Sequence, residues 1–178
     1  FTLDAGRLCL GGSLVCTETT FEGAVFAGDA RIGGEVIFTG AQLRGVTNRS
    51  RSECLSYVEP GEALHMDCAT LGGRLRLDHK FQCDGQLSLR GIEVSKEILL
   101  SAACIRAPAF SLPEVTVRDA DNPRWRIAVD LRRAVIGRAL IARPKKSLWG
   151  LEVDGQLDMH DAKFAMGVRL MGVRVCND

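Results

Sequence analysis

Aromatic side chains are scarce in this 178-residue chain, at 6%, and so is any surplus of charge, because 23 Lys and Arg face 22 Asp and Glu for a net charge of +1. That balance excludes a strongly acidic surface that imitates a nucleic acid, and it excludes a broadly basic one that binds it. No apolar run approaches the length of a membrane span, and no basic, apolar and small-residue series marks a signal peptide. The first residue is Phe1 rather than Met, so the natural N-terminus, with any targeting segment, is expected to lie outside this sequence.

Catalytic and metal-binding motifs are missing too. The seven cysteines stand at positions 9, 16, 54, 68, 83, 104 and 176, an odd number without one Cys-x-x-Cys, which fits neither a complete disulfide framework nor a zinc ribbon or finger. Free structural thiols in a reducing cytoplasm are the expectation, with Cys83 inward as a small hydrophobe. His65, His79 and His160 are scattered; the last two sit beside Asp78 and Asp161 at corners read as equivalent but several units apart, too far to share a metal or a proton. The Gly-Gly pairs open strands and lack the Lys-Ser/Thr of a phosphate loop, and no serine-nucleophile motif occurs. No cofactor, no metal and no enzyme activity are expected.

What the chain does have is a register. From position 64 the apolar residues fall in apolar-x-apolar pairs: Leu64/Met66, Ala69/Leu71, Leu75/Leu77, Leu87/Leu89, Ile92/Val94, Ile98/Leu100, Ala103/Ile105, Phe110/Leu112 and Val115/Val117. Each pair is the period-2 signature of a short strand with one face buried. The starts advance by about five or six residues, too few for intervening helices and too regular for hairpins. The same spacing runs through Val25 to Leu43 and Leu157 to Val175, with weaker copies at Leu8, Val129 and Leu140. Twelve two-strand units therefore begin at 8, 25, 36, 64, 75, 87, 98, 110, 129, 140, 157 and 168. Paired, they predict an all-β fold, a four-sided parallel β-helix of about six rungs of 22–23 residues and roughly 25 to 30 Å long. Glycines fall at the expected corners, where a positive φ or close approach of rungs favours them.

On alternate sides the pair is Ala-x-apolar, as in Ala30/Ile32, Ala41/Leu43, Ala69/Leu71, Ala103/Ile105, Ala134/Ile136 and Ala162/Phe164. This resembles the small and large alternation of bacterial pentapeptide-repeat proteins, and the resemblance implies a right-handed four-sided coil. The departure is that here every second side has six residues instead of five. The resemblance is one of scaffold and carries over no catalytic residue.

The whole chain, 1–178, reads as a single repeat domain with loop insertions near 16–24, 44–63, 118–126 and 143–149. Its expected function is that of a non-catalytic scaffold or protein-interaction module, with a protein partner or a homo-oligomer covering coil ends that no segment of this sequence caps. An alternative places an anionic ligand, single-stranded nucleic acid or an acidic glycan, on the edge made by Arg118, Arg124, Trp125, Arg126, Arg143, Lys145, Lys146 and Trp149. That edge holds both tryptophans among cations, a combination that stacks a ring and clamps an anion. A further alternative is a carbohydrate-active enzyme using Asp130 and Asp158, which this register sets on one outward face one rung apart. His65, Arg76, Ser88, Leu99 and Ser111 are expected to be exposed at mid-strand.

Overall fold

The computed structural model describes residues 3–45, 61–107, 127–144 and 150–176, which form 24 short strands and no helix. Sheet A holds β1 (Leu3–Asp4), β5 (Val25–Phe26), β9 (Glu62–His65), β13 (Gln86–Ser88), β17 (Ile127–Asp130) and β21 (Gln156–Asp158). Sheet B holds β2 (Cys9–Leu10), β6 (Arg31–Ile32), β10 (Thr70–Leu71), β14 (Glu93–Val94), β18 (Val135–Ile136) and β22 (Lys163–Phe164). Sheet C holds β3 (Leu14–Val15), β7 (Val36–Ile37), β11 (Leu75–Arg76), β15 (Ile98–Leu99), β19 (Ala139–Ala142) and β23 (Gly167–Leu170). Sheet D holds β4 (Thr20–Phe21), β8 (Gln42–Arg44), β12 (Gln82–Asp84), β16 (Ala103–Arg106), β20 (Leu151–Asp154) and β24 (Val173–Cys176). Every pairing is parallel and joins a strand to the fourth one after it, as in Leu3↔Val25 and Leu75↔Ile98. The chain is a right-handed, four-sided β-helix of six rungs.

Because both residues of each apolar-x-apolar pair point inward, stacking puts Val25, Leu64, Leu87 and Val129 in one column and Ile32, Leu71, Val94 and Ile136 in another, all buried. The narrow interior admits few rings; Phe21 and Phe38 meet edge to face, with centroids 6.1 Å apart. The A–B corner turns through left-handed backbone in all six rungs, at Arg7, Asp29, Cys68, Gly91, Arg133 and Asp161. The B–C corner turns without it and lies tightly on its neighbours: a Cβ on Gly72 would stand 2.2 Å from the carbonyl oxygen of Gly33. Outside, ion pairs join successive rungs. Arg44 meets Glu22 at 2.9 Å, Arg106 meets Asp84 at 3.0 Å, and Arg74 lies between Glu35 at 3.1 Å and Glu97 at 2.8 Å.

The observed stack departs from the expected units in three places. Leu87 pairs directly with Val129, and Ile98 with Leu140, so no unit beginning at Phe110 can stand between these rungs; residues 108–126 interrupt the D–A corner instead and lie outside the described residues. Residues 16–24, expected to be an insertion, contain β4, which pairs with β8. The first rung begins at Leu3 and Leu14 rather than at Leu8.

Sheet A has two irregularities with a common position. The register slips by one residue at Ala63, where Gln86 faces Glu62 but Leu87 faces Leu64, and again at Ala128, where Ile127 faces Gln156 but Val129 faces Leu157. Each bulge lies on the first strand after an interruption of the D–A corner, 46–60 in one case and 108–126 in the other. A bulge inserts one residue and turns what precedes it to the opposite face.

Candidate functional site

Of the eight residues expected to form a ligand edge, Arg118, Arg124, Trp125, Arg126, Lys145, Lys146 and Trp149 lie outside the described residues. Arg143, just after β19, is exposed, and its backbone N–H donates to Ser101 Oγ at 3.1 Å. The described flanks place the two interruptions at corners on either side of sheet D, the first between β16 and β17 and the second between β19 and β20.

The densest polar chemistry of the described residues stands on the outer face of sheet A. After each inward residue of β9, β13, β17 and β21 the chain writes polar-x-polar: His65-x-Asp67, Ser88-x-Arg90, Asp130-x-Arg132 and Asp158-x-His160. Register stacks these pairs one rung above another. His65 and Ser88 are buried rather than exposed, while Arg76 and Leu99 are half-buried; Ser111 lies outside the described residues. Ser88 Oγ donates to Asp67 Oδ1 at 2.7 Å, and the Arg90 guanidinium donates through Nε to Asp67 Oδ2 at 2.6 Å. Arg90 also lies 3.8 Å from both Glu62 and Asp130.

Asp130 and Asp158 are register partners, as the spacing predicts. Asp130 is nevertheless 0% exposed, and both its oxygens accept hydrogen bonds from the side chain of Arg132, Oδ1 also from that residue's backbone N–H at 3.1 Å. Arg132 Nε also stands 3.7 Å from Asp158. The carboxylates are therefore not an open pair flanking a space for a glycosidic bond: a guanidinium occupies the gap, and its hydrogen bond to Asp130 raises its own already high pKa, so it stays charged. Burial pulls the Arg90 pKa down, but Asp67, Asp130 and Glu62 together raise it.

Glu62, Asp67 and Arg90 belong to no catalytic or ligand-binding motif of the sequence, and Arg132 stands there only as a cation near the expected ligand edge. The signal that finds them is the polar-x-polar repeat itself, visible once residues are aligned by rung. Elsewhere, His79 turns the C–D corner and His160 the A–B corner, so the two are not equivalent. Among the described residues no group of three or more His, Cys, Asp or Glu could hold a metal ion. Cys9, Cys16, Cys68, Cys83 and Cys104 are free; Cys83 faces inward as expected, and burial pushes its thiol pKa well up. No helix among the described residues is long and apolar enough to cross a membrane. No known family model, curated protein or solved structure matches this chain.

Proposed function

We propose that this protein is a non-catalytic β-helical scaffold or protein-interaction module, of the kind pentapeptide-repeat proteins exemplify. The observation that carries this reading is the outer face of sheet A, where the conspicuous carboxylates are partnered within the fold: Arg132 holds Asp130, and Ser88 and Arg90 hold Asp67. The clamped state of Asp130 supports a non-catalytic reading of the long outer face. The Ala-x-apolar sides and the four-sided coil support the kinship, while the six-residue sides set this chain apart within it.

Partner capture on immobilised protein, together with light scattering for self-association, tests the proposal. A defined partner or self-association without glycoside turnover is the expected result. Glycoside turnover that Asp130→Asn abolishes overturns the proposal. The second reading, an anion-binding edge, draws support from exposed Arg143 and from the two tryptophans among cations in the sequence. Salt-sensitive binding that Trp125→Ala/Trp149→Ala removes would favour it.

A further inference from the structure

In a regular strand, residues three apart point to opposite faces, because side chains alternate with period 2. Glu62 and His65 are three apart on β9, yet Glu62 Oε2 lies 2.9 Å from His65 Nδ1 on the outer face of sheet A. The bulge at Ala63 makes this contact possible by turning Glu62 onto the face that His65 occupies. Neither side chain has much water: Glu62 is 1% exposed and His65 9%. The imidazole stacks on Phe26 of β5, with ring centroids 4.9 Å apart and planes inclined by 28°. The pair thus touches the preceding rung through Phe26 and the following one through Arg90, 3.8 Å from Glu62.

We propose that Glu62 and His65 form a pH-sensitive clasp on the β9 bulge, closed when the imidazole is protonated and loosened when it is neutral. Among the described residues, the charged groups that act on the imidazole are Glu62 and Asp67 on its own rung and Arg90 on the next, and further along the face Asp130 is answered by Arg132. A protonated His65 holds Glu62 Oε2 by a charge-assisted hydrogen bond, and a neutral one by a weaker bond without the charge. Burial draws the imidazole pKa down, but the hydrogen bond and charge of Glu62, with the charge of Asp67, outweigh both burial and Arg90 and leave it above 6.5.

A pKa raised by folding contributes stability that is fully present below the unfolded value of 6.5 and is lost as pH rises through the folded value. The bulge, and with it the seating of β9 on β5, tightens in mild acid and relaxes toward alkaline pH. This direction is opposite to that of a histidine buried as the neutral base.

The test is an NMR titration of the intact protein, with the His65 signal assigned by its loss in His65→Gln, joined to hydrogen exchange at Ala63 to Met66 corrected for intrinsic base catalysis. The result expected is titration of His65 above 6.5 and a fall in amide protection across the same pH interval, absent in His65→Gln, which keeps a donor but carries no charge. Glu62→Gln should return the His65 midpoint to 6.5 or below. If Glu62→Gln fails to fold, the wild-type and His65→Gln profiles decide alone. A wild-type midpoint at or below 6.5, or the same pH-dependent protection in His65→Gln, overturns the clasp.

Discussion

Left-handed backbone and close approach of rungs are separate demands at two corners of this coil. At the A–B corner the positive φ is held by arginine, aspartate or cysteine in five rungs of six, whereas the B–C corner uses Gly33, Gly72 and Gly137 for closeness alone. The two demands separate by mutation. Gly72→Ala drives a Cβ to 2.2 Å from the Gly33 carbonyl oxygen, a backbone atom that cannot swing away, and should cost about 2 kcal/mol in chemical denaturation. Arg133→Gly relieves a left-handed arginine at φ 59° but frees the unfolded chain, so it should lie between neutral and about 1 kcal/mol stabilising. A destabilising Arg133→Gly together with a silent Gly72→Ala would reverse the assignment. At this scale the inward residues were legible in the sequence because their period is fixed by the pleat. The burial of Ser88 and Asp130 was not, since alternation says which face a side chain takes and not what else lies on that face.

The strands of sheet A show what an element inherits from its insertions. β13 follows an uninterrupted corner and runs in register, while β9 and β17 follow interruptions and carry bulges at Ala63 and Ala128. The second interruption has the pattern of a coil unit, because Phe110/Leu112 and Val115/Val117 have the spacing of inward pairs. Periodicity cannot tell an apolar insertion from a rung; strand register can, and it is a property of the neighbouring strands. Once β17 is seated beside β13 and β21, Asp130 depends on Arg132, whose removal would leave a carboxylate buried without its main partner. Arg132→Ala should therefore cost about 3 kcal/mol, and Arg132→Ala/Asp130→Ala distinctly less than that, because the stranded charge is gone. Equal losses in a thermal or denaturant series would mean that the pair is not coupled.

Six rungs stacked on one axis make a molecule whose parts depend chiefly on their neighbours, and its stability should vary along that axis. The inward residues of the third and fourth rungs, such as Leu64, Leu71, Leu89 and Ile98, are fully buried, whereas Leu10 and Leu14 in the first rung and Leu157 and Leu170 in the last are only partly so. A central Leu89→Ala removes methylenes from a site closed above and below, and should cost about 3 kcal/mol. Leu170→Ala acts at a partly buried site and should cost about half as much. Amide exchange should follow the same gradient, slowest in β9 to β16 and fastest in β1 to β4 and β21 to β24, since a terminal rung can detach without breaking the rest.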